Sequence, residues 1–348
     1  MARRARAEPV DVKDPVLAPR ETFSLIGHGD ILARVSRAIR SGRTPQAWLI
    51  TGPPGVGKAT LAYRIARYLL AHGATDRGPD DLSVSPNDPA SLQVKAGAHP
   101  GLMVLRRGVN PDTGKPMTVL SVNEIRKLGG FFGLTSGAGG WRVAIIDTAD
   151  DMNDNASNAL LKVLEEPPSR SMLLVLANSP ARLLPTIRSR CQRLDLKPLA
   201  DADVDAELAR RMPDLAKSER TALVKLAGGS IGAALKLSSG NGVEIAADAE
   251  RLIEQATQPD FAAGLSLAEK VARMDDGVDS FGQYLVQALS DRIHARARTG
   301  GGDLRRWVEL SEKLQSSFRR TDGLHLEPRQ TILSASRALS ETAKRGAI

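Results

Sequence analysis

The stretch that most constrains this chain is Gly52-Pro-Pro-Gly-Val-Gly-Lys-Ala-Thr60. It follows a short apolar run, Ala47-Trp48-Leu49-Ile50, and leads into an amphipathic pattern at Leu61, Ile65, Leu69 and Leu70. Strand, glycine loop and helix in that order make a phosphate cradle, because successive backbone N–H groups and the positive end of the helix dipole face one point. Gly52, Gly55 and Gly57 let the backbone approach closely and take positive φ, with Pro53, Pro54 and Val56 between them. Lys58 supplies a point charge for β- and γ-phosphates. The next position, where a Ser or Thr hydroxyl would ligate Mg²⁺, is Ala59. Thr60 does not replace it, since one step along a helix turns a side chain by about 100°. The cradle is therefore complete and a metal ligand is missing. Two readings stand: ATP or ADP held without hydrolysis, or a loop that holds no nucleotide.

Trp141-Arg-Val-Ala-Ile-Ile-Asp147 is a near-continuous apolar run ending in a carboxylate, the pattern of a central parallel strand covered on both faces. A carboxylate at the end of such a strand, beside a P-loop, is placed to hold Mg²⁺ through water; the alternative is a cap for the next turn. Many P-loop ATPases follow it with a glutamate that polarises water, and here the residue is Thr148. Met172–Ala177 is a further buried strand ending at Asn178, and Gln192–Leu196 a last one. Helices are predicted from Ile31 to Ile39, after the P-loop to Ala71, from Ser121 with Glu124 as its capping-box partner, over Asn155–Glu165 and over Leu183–Arg188. Residues 73–98, rich in Gly, Pro, Asp and Ser, read as an irregular excursion held by packing or partly disordered, and 110–114 as a turn. Strands alternating with helices mean a parallel sheet whose ligands bind at the carboxyl ends, where Gly52, Asp147 and Asn178 converge.

After Pro198 the pattern becomes all helix. Three short helices are expected over 203–237 and five more over 243–344, with breaks at Gly300-Gly-Gly302 and Thr321-Asp-Gly323. The domain reading is a flexible tail over 1–22, an α/β P-loop domain over 23–198, a helical lid over 199–240 and an all-α domain over 241–348.

With 348 residues, 42% hydrophobic and 25% charged, the composition is that of a soluble globular protein. The basic start has no apolar region after it, no run is long enough to span a membrane, and Cys191 is the single cysteine, so a cytoplasmic protein is expected. The net charge of +8 fits either a polyanionic partner such as DNA or a solvated arginine-rich surface. Aromatic content of 3% argues against base stacking, so any DNA contact is expected at phosphates. The arginines of the last segment read first as solvated helix faces.

Gly52–Lys58, Asp147, the phrase Ala156-Ser-Asn-Ala-Leu-Leu-Lys-Val-Leu-Glu-Glu-Pro-Pro168 and Ser189-Arg190-Cys191 together resemble the AAA+ subunits of DNA sliding-clamp loaders. The likeness covers Gly27 to about Leu237 and implies an AAA+ domain, a lid and a C-terminal oligomerisation collar. Ala59, Thr148 and the glycine at 232, where motors carry a sensor-2 arginine, make it similar to the non-motor members. The resemblance implies that Arg190 is an arginine finger supplied in trans and that Asn178 is at the sensor-1 position. It implies a hetero-oligomer with gamma/tau and delta subunits, acting on the sliding clamp and primer–template DNA. Many relatives carry a four-cysteine zinc module before a His-Pro dipeptide, here His99-Pro100; this chain has no cysteine in that interval, and His72 and His99 are too few ligands, so no zinc is expected. The rival readings are a working P-loop ATPase and a free-standing DNA-binding protein.

Overall fold

The computed structural model describes residues 18–108, 117, 119–133, 140–238, 241–258, 260–274, 277–299, 304–324, 327–344 and 346. Residues 1–17 of the expected tail, the predicted turn at 110–114 and the Gly300–Gly302 break lie outside them. The chain divides into two compact units, one ending at Leu235 and one beginning at Lys236.

The first unit is built on five parallel strands: β1 (Ala47–Thr51), β2 (Leu102–Leu105), β3 (Arg142–Ile146), β4 (Ser171–Ala177) and β5 (Gln192–Asp195), in the order β2-β3-β4-β1-β5. Every residue of β1 and β4 is buried, which is why both read as unbroken apolar runs. Alternation along β1 sends Trp48 and Ile50 to one face of the sheet, and Ala47 and Leu49 to the other. The first face is covered by α1 (Gly29–Arg40) and α2 (Lys58–His72), through Val35, Ile39, Leu61, Ile65 and Leu69. The second is covered by α4 (Val122–Gly133) and α5 (Asp154–Glu165), through Ile125, Leu128 and Leu160. Half of the predicted capping box is present: the Glu124 N–H donates to Ser121 Oγ at 3.4 Å, while the Glu124 carboxylate pairs with Lys127 instead of reaching back to the Ser121 N–H. Asn153 starts α5 by accepting the Ala156 N–H at 2.9 Å.

The stretch 73–98 departs from the sequence reading. It contains α3 (Pro89–Lys95), with Asp88 as N-cap accepting the Ala90 N–H at 2.8 Å and Pro89 in the first turn. Leu82 and Val94 are fully buried in the core that holds α2, and the Tyr68 hydroxyl donates to the Thr75 carbonyl at 3.2 Å. Apolar packing and these hydrogen bonds hold the excursion.

Beyond β4 come α6 (Pro185–Arg190), α7 (Asp201–Arg211), α8 (Lys217–Ala227) and α9 (Ile231–Ser238). The second unit is helical: α10 (Gly242–Glu254), α11 (Phe261–Ala272), α12 (Gly277–Arg298), α13 (Arg305–Leu324) and α14 (Pro328–Ala343). Its core gathers Ile245, Phe281, Leu285, Trp307, Leu314 and Ile332. The expected break at Thr321-Asp-Gly323 is not one, since α13 runs through it. Arg292 pairs with Glu250 at 2.6 Å and Arg305 with Glu309 at 2.9 Å. Among the described residues no helix is long and apolar enough to cross a membrane.

Candidate functional site

Because all five strands are parallel, the loops after β1, β3 and β4 leave the same edge of the sheet. They line a cleft of about 360 Å³ that brings together Pro54 to Thr60, Asp147, Thr148 and Asn178. Gly52 and Pro53 lie outside that lining and serve it through their carbonyls. Gly52 takes φ +147°, and a Cβ there would come within 2.4 Å of the Leu196 carbonyl oxygen. Gly57 takes φ +110° and opens α2, whose first N–H groups have no intrahelical acceptor and face the cradle. His28 Nε2 donates to the Val56 carbonyl at 3.0 Å from outside the loop. Leu25, Ile26 and Ile231 add an apolar wall to the cleft.

Lys58 is 7% exposed, and its Nζ donates to the Gly52 and Pro53 carbonyls, each at 2.7 Å. Burial pushes its pKa down from 10.5 to about 8, against the pull of Asp147 and Asp150. A lysine whose folded value lies below its unfolded one withholds stability below pH 8 and returns it as pH rises from 8 towards 10.5. Lys58→Met is therefore expected to gain stability relative to wild type as pH falls from about 10 to about 7, by at most roughly 3 kcal/mol. Denaturant melts of both proteins at the two pH values check the sign; a difference that does not change with pH contradicts it.

Asp147 is half-buried with Arg106 Nε 3.3 Å from its carboxylate. Burial pushes its carboxyl up, opposed by Arg106 and Lys58. Thr148 adopts φ +57°, which is uncommon for a β-branched residue, and its hydroxyl donates to the Asp147 carbonyl at 3.0 Å. Sequence reasoning missed Asp150. This buried carboxylate accepts the backbone N–H groups of Asn178 at 3.1 Å and Ser179 at 3.2 Å, fixing the end of β4 to the loop after β3. The run of carboxylates at 147, 150 and 151 directly after a buried strand was its signal.

The helical segment after β5 reaches the cradle through the start of α9. Ser230 Oγ donates to the Pro54 carbonyl at 2.9 Å, and the Gly232 N–H to the Gly55 carbonyl at 3.0 Å. Glu207 and Arg211 of α7 also border the cleft. Glu207 is buried, and hydrogen bonds from Arg210 and then Arg211 hold its carboxyl below the usual range. Neither residue was singled out from sequence.

Arg190 stands elsewhere. It ends α6 just before β5, so it belongs to the amino end of the sheet, while the P-loop leaves the carboxyl end of β1. Gln192 pairs with Trp48, and the rise of about 3.3 Å per residue from Trp48 to Gly52 separates the two ends by roughly 13 Å. Its side chain is 38% exposed and donates to Glu165 Oε1 at 2.9 Å and to the Thr186 carbonyl at 3.3 Å. The neighbouring Cys191 is buried, which pushes its thiol up to about 11.

A family model described as DNA polymerase III, delta subunit matches residues 27–200, which contain the P-loop, Asp147, Asn178 and Arg190. The chain belongs to this family. It is 38% identical over 185 residues to DNA polymerase III subunit delta' of Pseudomonas aeruginosa, covering 53% of each chain. To the delta' subunit of Escherichia coli K12 it is 32% identical over 202 residues, 58% of this chain and 57% of that one. To subunit gamma/tau of Mycobacterium bovis it is 27% identical over 307 residues, 85% of this chain and 49% of that one. The chain thus spans about half the length of the curated relatives it matches.

Proposed function

We propose that this chain is a non-motor, delta-prime-type subunit of the loader that places the sliding clamp on DNA for DNA polymerase III. In this reading it hydrolyses no ATP itself and lends Arg190 in trans to the nucleotide site of a neighbouring ATPase subunit. The observation that carries the reading is the position of Arg190. It stands at the sheet edge opposite its own P-loop, partly exposed, and tied to a carboxylate that is itself 51% exposed. Such a pair costs little to exchange for another anion. A guanidinium is permanently charged and planar, so it stabilises charge on a γ-phosphate across an interface. Its own cleft is poorly equipped for phosphoryl transfer, with Ala59 and Thr148 at the metal and water positions and Asp147 paired to Arg106.

The partners are gamma/tau and delta subunits in a cytoplasmic hetero-oligomer, with the sliding clamp and primer–template DNA reached through the assembly, the DNA by its phosphates. The helical residues 199–240 act as lid and 241–348 as collar, and the chain is a rigid end of the ring. The rival is a working ATPase with Lys58 and Asp147 as its machinery. Steady-state turnover of the purified chain separates the two. We expect no turnover above background; hydrolysis at ~1 s⁻¹ or more that disappears in Lys58→Ala would establish the rival.

A further inference from the structure

In a P-loop fold the carboxylate after β3 holds a divalent cation. Three aspartates follow β3 here, and each faces a backbone N–H or an arginine of this chain. Asp150 accepts two backbone N–H groups from the end of β4. Asp151 faces Arg107 Nε at 3.4 Å, and Asp147 faces Arg106 Nε at 3.3 Å. Strand register brings these arginines. Leu105 of β2 pairs with Ile146 of β3, and the Asp147 N–H donates to the Leu105 carbonyl at 2.8 Å. The next residues on the two strands, Arg106 and Asp147, therefore leave the sheet side by side. Ala59 has no oxygen to offer. With that hydroxyl missing and Asp147 facing a guanidinium, the two protein groups that hold a divalent cation in a P-loop site are lost or taken, so the cation does not fit here.

A phosphate chain does fit, since the cradle keeps its glycine geometry, its first-turn N–H groups and a lysine. Without a cation, an ionised Asp147 would repel that chain. Arg106 removes the repulsion from within. We propose that Arg106 is a built-in replacement for the divalent cation, and that the cleft takes a nucleoside di- or triphosphate as a metal-free anion. This rests on the reading of residues 52–60 as a phosphate cradle and is independent of the role of Arg190.

The test is equilibrium binding of fluorescently labelled ADP to the full chain, in EDTA and in millimolar magnesium. Equal affinity in the two buffers, within about twofold, is expected. Arg106→Gln is expected to weaken binding in EDTA about tenfold or more, with partial recovery in magnesium because Asp147 is released; Arg106→Lys, which keeps the charge, retains most of the metal-free affinity. Binding that requires magnesium, no binding in either buffer, or an Arg106→Gln protein that binds in EDTA like wild type would each overturn the proposal. If Arg106→Gln does not fold, the wild-type buffer comparison and Arg106→Lys still decide. A failure here leaves partner hydrolysis dependent on Arg190, so the two readings fail separately.

Discussion

Arg190→Ala is expected to lower hydrolysis at the partner site it faces by about 10³-fold or more, the range for arginine fingers, with the complex still assembled. Within this chain the substitution removes one hydrogen bond to an exposed glutamate and one to the Thr186 carbonyl. Exposed pairs of that kind are worth about 0.2–1 kcal/mol, so the fold should tolerate the loss. Arg190→Lys should restore little, because an ammonium lacks the planar fork that spans two phosphate oxygens. Bulk turnover of a complex with several sites falls less than the affected site does. Single-turnover hydrolysis in the reconstituted complex, with assembly checked by gel filtration, reads the effect. A normal rate in an intact complex would remove Arg190 from the mechanism.

Gly232→Ala is expected to destabilise the first unit by about 1–3 kcal/mol and to loosen the start of α9 from the P-loop. A Cβ at Gly232 would lie 2.7 Å from Gly55 Cα and 3.2 Å from its carbonyl oxygen. Both neighbours are backbone, so no flexible side chain can swing aside. Gly55 is closed from the other side as well: it sits at φ +73°, and its own Cβ would meet Ser230 Oγ at 2.4 Å. The two glycines permit the contact in which Gly232 donates to Gly55 and Ser230 to Pro54. By the same geometry, Gly232→Arg is expected to push the start of α9 away from the P-loop. Urea denaturation combined with hydrogen exchange over residues 54–56 and 230–235 tests this. Unchanged stability and protection in Gly232→Ala would show that the contact is not tight.

What could be read from sequence follows from how far apart the interacting residues lie. β1, β3 and β4 were legible because strands covered on both faces must be apolar along their length. α3 was missed because seven residues are too few to show a 3.6-residue period; only its Asp88-Pro89 start marked it. At Thr321-Asp-Gly323 local breaker residues were overridden inside a helix of 20 residues. The P-loop was readable because its parts are contiguous. Arg106 was not, because it meets Asp147 only through the register of two strands whose paired residues lie 41 apart in the sequence. The seat of Ser230 on Pro54 spans 176 residues and left no local pattern.

One comparison tests most directly whether the chain acts on a neighbour's nucleotide rather than on its own. Lys58→Ala and Arg190→Ala versions of this chain are assembled in parallel with wild-type partners, and DNA-stimulated ATP hydrolysis is measured in both. The predicted result is near-normal hydrolysis with Lys58→Ala and a clear loss with Arg190→Ala, confined to the site that Arg190 faces. Hydrolysis abolished by Lys58→Ala and untouched by Arg190→Ala would place the chemistry in this chain's own cleft and contradict the account.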